Sequence, residues 1–286
     1  MTFLPVNYEQ SWTLANTVRR VGIGLHTGER SEVHLLASDL PGFHVSWIGK
    51  RFDPVTLNPY QVRDSQLCTL LEIGKNRLST VEHLLAALAG CGLTHVHIKV
   101  SGEEIPLLDG SALQWVEAIK EVGVVSAKTP RVPAPIIEKP LILNRGSSVI
   151  TATPADKFKI IGIIEFPYEA IGRQIFSIEL TPESFVKELA PARTFGFRDQ
   201  VEKLINAGLI KGGALENALV CDGANWINPP LRFDNEPVRH KLLDLIGDLA
   251  LVGFPKAQVM VYKGSHALHS ELALAIHKQF HNDLPF

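Results

Sequence analysis

The sequence predicts an α+β fold of two domains that look like two copies of one unit. Three observations lead there. The 286 residues come to just under two domains of roughly 150 residues, and 45% hydrophobic against 20% charged residues supplies each with a core of normal proportions. Strand-like and helix-like segments follow one another in both halves. The segments VEHLLAALAG (81–90) and VRHKLLDLIG (238–247) share Val, His, Leu, Leu and Gly in register, and each leads through a Gly into a strand, as two copies of one unit would. A duplicated unit sets equivalent helices face to face across a pseudo-twofold, so one His from each can reach the same point.

In chain order, 12–36 reads as a hairpin about GIGLHTGER (22–30). RLSTVEHLLAALAGCG (77–92) places Val81, Leu84, Leu85 and Leu88 on one helix face and stops at Gly90 and Gly92. In the strand THVHIKV (94–100), Val96, Ile98 and Val100 alternate with His95, His97 and Lys99. A second helix follows in IPLLDGSALQWVEAIKEVG (105–123), with Asp109 or Ser111 as its cap. The proline-rich KTPRVPAPIIEK (128–139) marks the boundary, which divides the chain into domains 1–128 and 129–286. Strands over 142–154 and 159–167 come next, then helical stretches near 182–189 and 199–208. The apolar helix 237–253, a strand over 256–264 and a last helix from about 270 to 280 complete the chain.

Composition excludes several functions. With 28 Lys and Arg against 30 Asp and Glu, the net charge of -2 provides no broad field for nucleic acid. Cys68, Cys91 and Cys221 are too far apart for a zinc knuckle or a disulfide framework and suit a reducing compartment. The first residues carry no basic stretch before an apolar core, and charges interrupt every apolar run before the roughly 20 residues that span a bilayer. A cytoplasmic monomer without a transmembrane segment is therefore expected, and the eleven His hint at chemistry near neutral pH or at metal.

His240, Asp244 and Asp248 fall at i, i+4 and i+8 of one helix and share a face. His240 and Asp244 can clamp one ion, with the third ligand of a catalytic zinc missing from this helix. A salt-bridged polar stripe has the same spacing. Against it, Leu242, Leu243, Leu245, Ile246 and Leu249 make the helix very apolar, and carboxylates beside a core are costly unless paired or metal-bound. Glu82 and His83 offer the complement, a general base beside a ligand, although Ser79 to Glu82 also fits a capping box and HExxH is absent. His266 and His269 read as residues of a loop after a strand, placed to give up a proton or merely exposed. His95 and His97 fit the polar face of a strand better than a metal pair. Thr194 and Phe195, within RTFGF (193–197), fit substrate contact and core packing equally.

Taken together, GIGLHTG (22–28), VRDSQLCT (62–69), STVEHLLAALAG (79–90), EIPLLDGSA (104–112), ARTFGF (192–197), LRFDNEPVRHKLLDLIGDL (231–249) and HALHSELALAI (266–276) span nearly the whole chain. In this order they resemble the UDP-3-O-acyl-N-acetylglucosamine deacetylase family, whose enzymes remove acetate at the committed step of lipid A synthesis. The resemblance implies two similar domains, each with helices packed on a β-sheet and with the active site between them, where His83, His240 and Asp244 bind a catalytic Zn2+, a donor set that also accepts Fe2+. It implies Glu82 as the general base toward the attacking water. His266 would be a protonated acid for the oxyanion and the departing amine, its ring held and its pKa raised by Asp248. Thr194 would donate to the oxyanion, and Lys241, Phe195, Leu67, Cys68 and His26 would contact the UDP-sugar substrate. An inserted β-α-β segment at about 197–223 would bind the acyl chain through Val201, Leu204, Ile205, Leu209, Ile210, Ala214 and Leu215. The chain departs from the family pattern at Gly264-Ser265, which stand in reversed order, at His269 in place of an Asn, and at Gln200 where an acidic residue is common. A zinc amidohydrolase for another acylated amino sugar and a non-catalytic lipid-binding protein of the same fold are the alternatives.

Overall fold

The structure is a computed structural model that describes residues 4, 5, 7–50 and 53–282. The first half forms β1 (Trp12–Leu14), β2 (Val18–Ile23), β3 (Arg30–Ala37), β4 (Gly42–Trp47), β5 (Val55–Thr56), β6 (Val62–Arg63), β7 (Leu70–Ile73), β8 (Asn76–Leu78), α1 (Glu82–Gly90), β9 (His95–Val100), α2 (Leu113–Val122) and β10 (Val124–Ser126). Seven of these strands make one sheet, and β6, β7 and β8 make a small separate one. The expected hairpin is β2 with β3, paired antiparallel from Val18 with Leu35 to Ile23 with Arg30.

The second half forms β11 (Leu141–Arg145), β12 (Ser148–Pro154), β13 (Lys159–Glu165), β14 (Arg173–Glu179), α3 (Pro182–Glu188), β15 (Phe195–Phe197), α4 (Arg198–Asn206), β16 (Leu219–Asp222), β17 (Asn225–Trp226), α5 (Glu236–Leu249), β18 (Ala257–Tyr262) and α6 (His266–Asn282). Its five-stranded sheet runs β11-β12-β18-β13-β14. The first sheet contains the same arrangement as β2-β3-β9-β4-β5. In each, the last strand enters between the second and third, antiparallel to the former and parallel to the latter. In each, one helix precedes that central strand, α1 or α5, and another follows it.

The two equivalent helices lie against each other. A Cβ on Gly247 would come within 2.0 Å of the Glu82 carbonyl oxygen, so only glycine permits this approach of the backbones. Both helices are buried nearly all round, as expected of a helix packed on a sheet and on a partner helix at once. Leu84, Leu85 and Leu88 of α1 and Leu242, Leu245 and Ile246 of α5 share one continuous core. The proline-rich 128–139 contains no helix or strand.

Two local expectations are corrected. The last helix begins at His266, so His266 and His269 lie on its first turns and not on a loop. Ser265 starts it, since Leu268 N–H donates to the Ser265 hydroxyl at 3.3 Å and His269 N–H to its carbonyl at 2.9 Å, an N-cap arrangement. The capping box at Ser79 to Glu82 does not form. Val81 precedes α1 without a side-chain cap, Thr80 has φ +58, and the Glu82 carboxylate turns inward to accept the Thr69 N–H at 3.0 Å.

Candidate active site

The packing of α1 on α5 brings His83 against His240, with ring centroids 4.9 Å apart and planes at 85°. Asp244 sits one turn beyond His240. Its Oδ1 lies 3.4 Å from His240 Nε2 and 3.5 Å from His83 Nε2, is fully buried and has no hydrogen-bond partner. Atoms sharing a tetrahedral ion at about 2.0–2.1 Å stand roughly 3.3–3.4 Å apart, so the three donors fit a divalent cation. His240 Nδ1 bonds the Ala192 carbonyl at 3.0 Å, which turns the Nε2 lone pair toward that point. Burial pushes His240 down to about 4, keeping it neutral as a ligand must be. Burial opposes the charge of Asp244, but the Lys241 ammonium outweighs it and holds the carboxyl well below its usual range.

Beside the triad lie Glu82 and His266. Glu82 is 2% exposed, and burial raises its pKa against the pull of His266 and His83. His266 Nε2 stands 3.9 Å from both Glu82 Oε1 and Asp244 Oδ2. Its Nδ1 bonds Asp248 Oδ2 at 3.0 Å. Burial works against a charged ring, yet Asp248 prevails and carries His266 up to about 9, so the imidazole is a cation at neutral pH. Asp248 falls in turn to about 2, its burial outweighed by His266 and His269.

The other expected residues are placed as follows. Lys241 Nζ is ion-paired with Asp244 Oδ2 at 2.7 Å. Thr194 directly precedes β15, its N–H on the Gly110 carbonyl and its own carbonyl accepting from Leu219, both at 2.8 Å. The Phe195 ring stands 6.4 Å from His240 and packs with Phe166 and Phe197. Cys68 is buried, its thiol pushed up to about 12 by burial and by Glu82, and with Thr69, Arg63 and Arg145 it lines a cavity beside His266. Leu67 is 52% exposed with φ +65. His26 lies in the β2–β3 turn, where its N–H donates to the buried Glu104 at 2.9 Å. Glu104 also accepts from Thr80, two residues before Glu82. This chain of bonds ties the turn to the start of α1. His95 is structural, its ring nitrogens bonded to Thr94 and Thr129.

One residue escaped the sequence reading. Thr69 donates its N–H to Glu82 and its hydroxyl to Asp248 Oδ1, and it stands 3.1 Å from His266 Nδ1. It ends VRDSQLCT, but a lone Thr before a short strand carries no spacing signal. The expected β-α-β segment is present: β15 and β16 pair in parallel with α4 between them. No residue of α4 is buried, and Ile205 and Leu215 are exposed. Val201 and Leu204 are half-buried where α4 packs on β15 and β16, while Ile205 on the same face stays open.

Two imidazoles and a carboxylate converging on one point, flanked by a buried carboxylate and a cationic imidazole, are the equipment of a metal-dependent hydrolase. Residues 11–278 match the family model described as UDP-3-O-acyl N-acetylglycosamine deacetylase. The chain is 47% identical over 270 residues to the UDP-3-O-acyl-N-acetylglucosamine deacetylase of Thermosynechococcus vestitus, covering 93% of this chain and 94% of that one. It is 46% identical over 277 residues to the protein of the same name from Trichormus variabilis, covering 92% and 97%. It is 40% identical over 282 residues to a probable mitochondrial deacetylase of that name from Arabidopsis thaliana, covering 91% and 86%. The chain belongs to the UDP-3-O-acyl N-acetylglycosamine deacetylase family and is a metal-dependent deacetylase of the lipid A pathway. Among the described residues no helix is long and apolar enough to cross a membrane.

Proposed function

We propose that the chain removes the N-acetyl group of UDP-3-O-acyl-N-acetylglucosamine, with His83, His240 and Asp244 holding Zn2+. The observation that carries this reading is the unpartnered, buried Asp244 Oδ1 between two His Nε2 atoms. A histidine-rich set with one carboxylate suits zinc and also accepts Fe2+. A divalent cation held by these residues would supply Lewis acidity toward the acetamide carbonyl and the attacking water. Every other step falls to side chains. Glu82, a stronger base for being buried, takes the proton of the attacking water. His266, cationic and aligned by Asp248, stabilises the oxyanion with Thr194 and delivers a proton to the departing nitrogen. An amide needs this acid because its nitrogen is a poor leaving group.

Lys241, Phe195, Leu67, Cys68 and His26 contact the substrate in this reading, and the β-α-β segment at about 197–223 takes the acyl chain. The exposed apolar side chains of Ile205 and Leu215 support the latter. Domains 1–128 and 129–286 each contribute a sheet, the first supplying Glu82 and His83, the second His240, Asp244 and His266. One chain holds the whole set, so a monomer suffices. Three free cysteines suit the cytoplasm.

The test pairs metal analysis with deacetylation of UDP-3-O-acyl-N-acetylglucosamine. His83→Ala or His240→Ala loses bound metal and turnover together. Glu82→Ala keeps the metal while kcat falls by about 100- to 10,000-fold. Full activity in any of the three overturns the assignment.

A further inference from the structure

We propose that His269 is a positioning residue for the reaction: it pins the Asp248 carboxylate in the orientation that aligns His266. The inference rests on the acid role proposed for His266. Asp248 is wholly buried and takes three donors from two places in the chain. The Thr69 hydroxyl bonds Oδ1, while His266 Nδ1 and His269 Nδ1 bond Oδ2 at 3.0 and 2.9 Å. With Thr69 and His266 alone, both donors on the carboxylate would also be groups that face the reaction centre. His269 is the one donor that lies away from it, 0% exposed and one turn along α6 from His266, on the same face.

Its ring is itself fixed. An ionised carboxylate accepts only, so Nδ1 carries the proton and Nε2 is left as a lone pair. That Nε2 is buried without a partner and faces Gly264, where a Cβ would stand 2.6 Å from it and 2.7 Å from Val261 Cγ2. Gly264 therefore makes the room that the imidazole fills. The absence of a side chain at 264 and the presence of a ring at 269 are one feature, and Ser265 is left next to the helix as its N-cap. Asp248, His266 and His269 also come close enough together to hold an ion, but an ion there would need the two nitrogens that now donate to Asp248.

The experiment measures kcat, KM and metal per chain for wild type, His266→Ala, His269→Leu, His269→Asn, Gly264→Ala and the double variant Gly264→Ala/His269→Asn. The Asn amide puts an N–H where Nδ1 stands, so His269→Asn keeps kcat within about fivefold. His269→Leu lowers kcat by about 10- to 100-fold, the usual cost of losing such a supporting partner, with KM little changed. Gly264→Ala costs less in the His269→Asn background than in wild type, because only Val261 remains to be displaced. That comparison decides the matter even if His269→Leu fails to fold. Metal stays at one per chain throughout. An inactive His266→Ala with a fully active His269→Leu overturns this inference alone, as do equal costs of Gly264→Ala in the two backgrounds, a loss confined to KM, or a second metal that disappears in His269→Leu. A fully active His266→Ala removes the acid role, and this inference with it.

Discussion

Glu82 is buried and His266 half-buried, their proton affinities are shifted upward by different causes, and the difference sets the pH dependence. Burial raises Glu82, and in its proposed role as base it works once deprotonated, so activity is expected to appear as pH climbs through its pKa. Burial disfavours the His266 cation, but Asp248 overrides it and places the ring at about 9. In its proposed role as acid it works while protonated, so activity is expected to fall as pH passes that value. A plot of kcat/KM against pH is accordingly bell-shaped, and His266→Gln removes the falling limb. A falling limb that persists in that variant refutes the assignment of the acid. At this scale the sequence showed the His–Asp stripe of α5 plainly, because i and i+4 are neighbours on any helix. Thr69 was invisible, since its partners Glu82, Asp248 and His266 reach it only through packing.

The elements were mostly legible. Apolar period marked α1 and α5, alternation marked β9, and the prolines marked the connection at 128–139. The start of α6 was misplaced because Gly264 and Ser265 read as loop residues, although Ser directly before an apolar-periodic run is itself a helix-start signal. What no periodicity discloses is how closely α1 meets α5. Gly247 sets that distance, and Gly247→Ala drives its Cβ into the Glu82 carbonyl. The expected cost is about 1–3 kcal/mol of stability, as for other overpacked cores, with weaker metal binding because His83 and His240 are pushed apart. Denaturant unfolding of metal-free protein and a metal titration read the two effects. A Gly247→Ala variant as stable as wild type shows that the helices have room to spare.

For the whole molecule, the proposed metal donors are drawn from both halves, so an ion bound there would tie the two together. Metal at a hundredfold excess over its Kd stabilises the native state by about 2.7 kcal/mol. The wild type should show that shift in thermal unfolding and lose it with a chelator, while Asp244→Ala should show neither. An equal shift in Asp244→Ala places the bound metal elsewhere. The duplication glimpsed in two ten-residue segments extends to five strands of each sheet, with β9 and β18 in equivalent central positions.

By itself the sequence determined the α+β class, the order and kind of the main elements and the neighbouring pairs Glu82–His83 and His240–Asp244, because helical and strand periods act over a few residues. The tertiary structure alone brought His83 beside the His240–Asp244 pair, where the three could hold one ion. It also decided that Glu82 is turned inward instead of capping a helix, and that Asp248 is shared among Thr69, His266 and His269. Those outcomes depend on how two helices about 150 residues apart pack on each other, and a close approach at one glycine has no signature in the residues that it brings together.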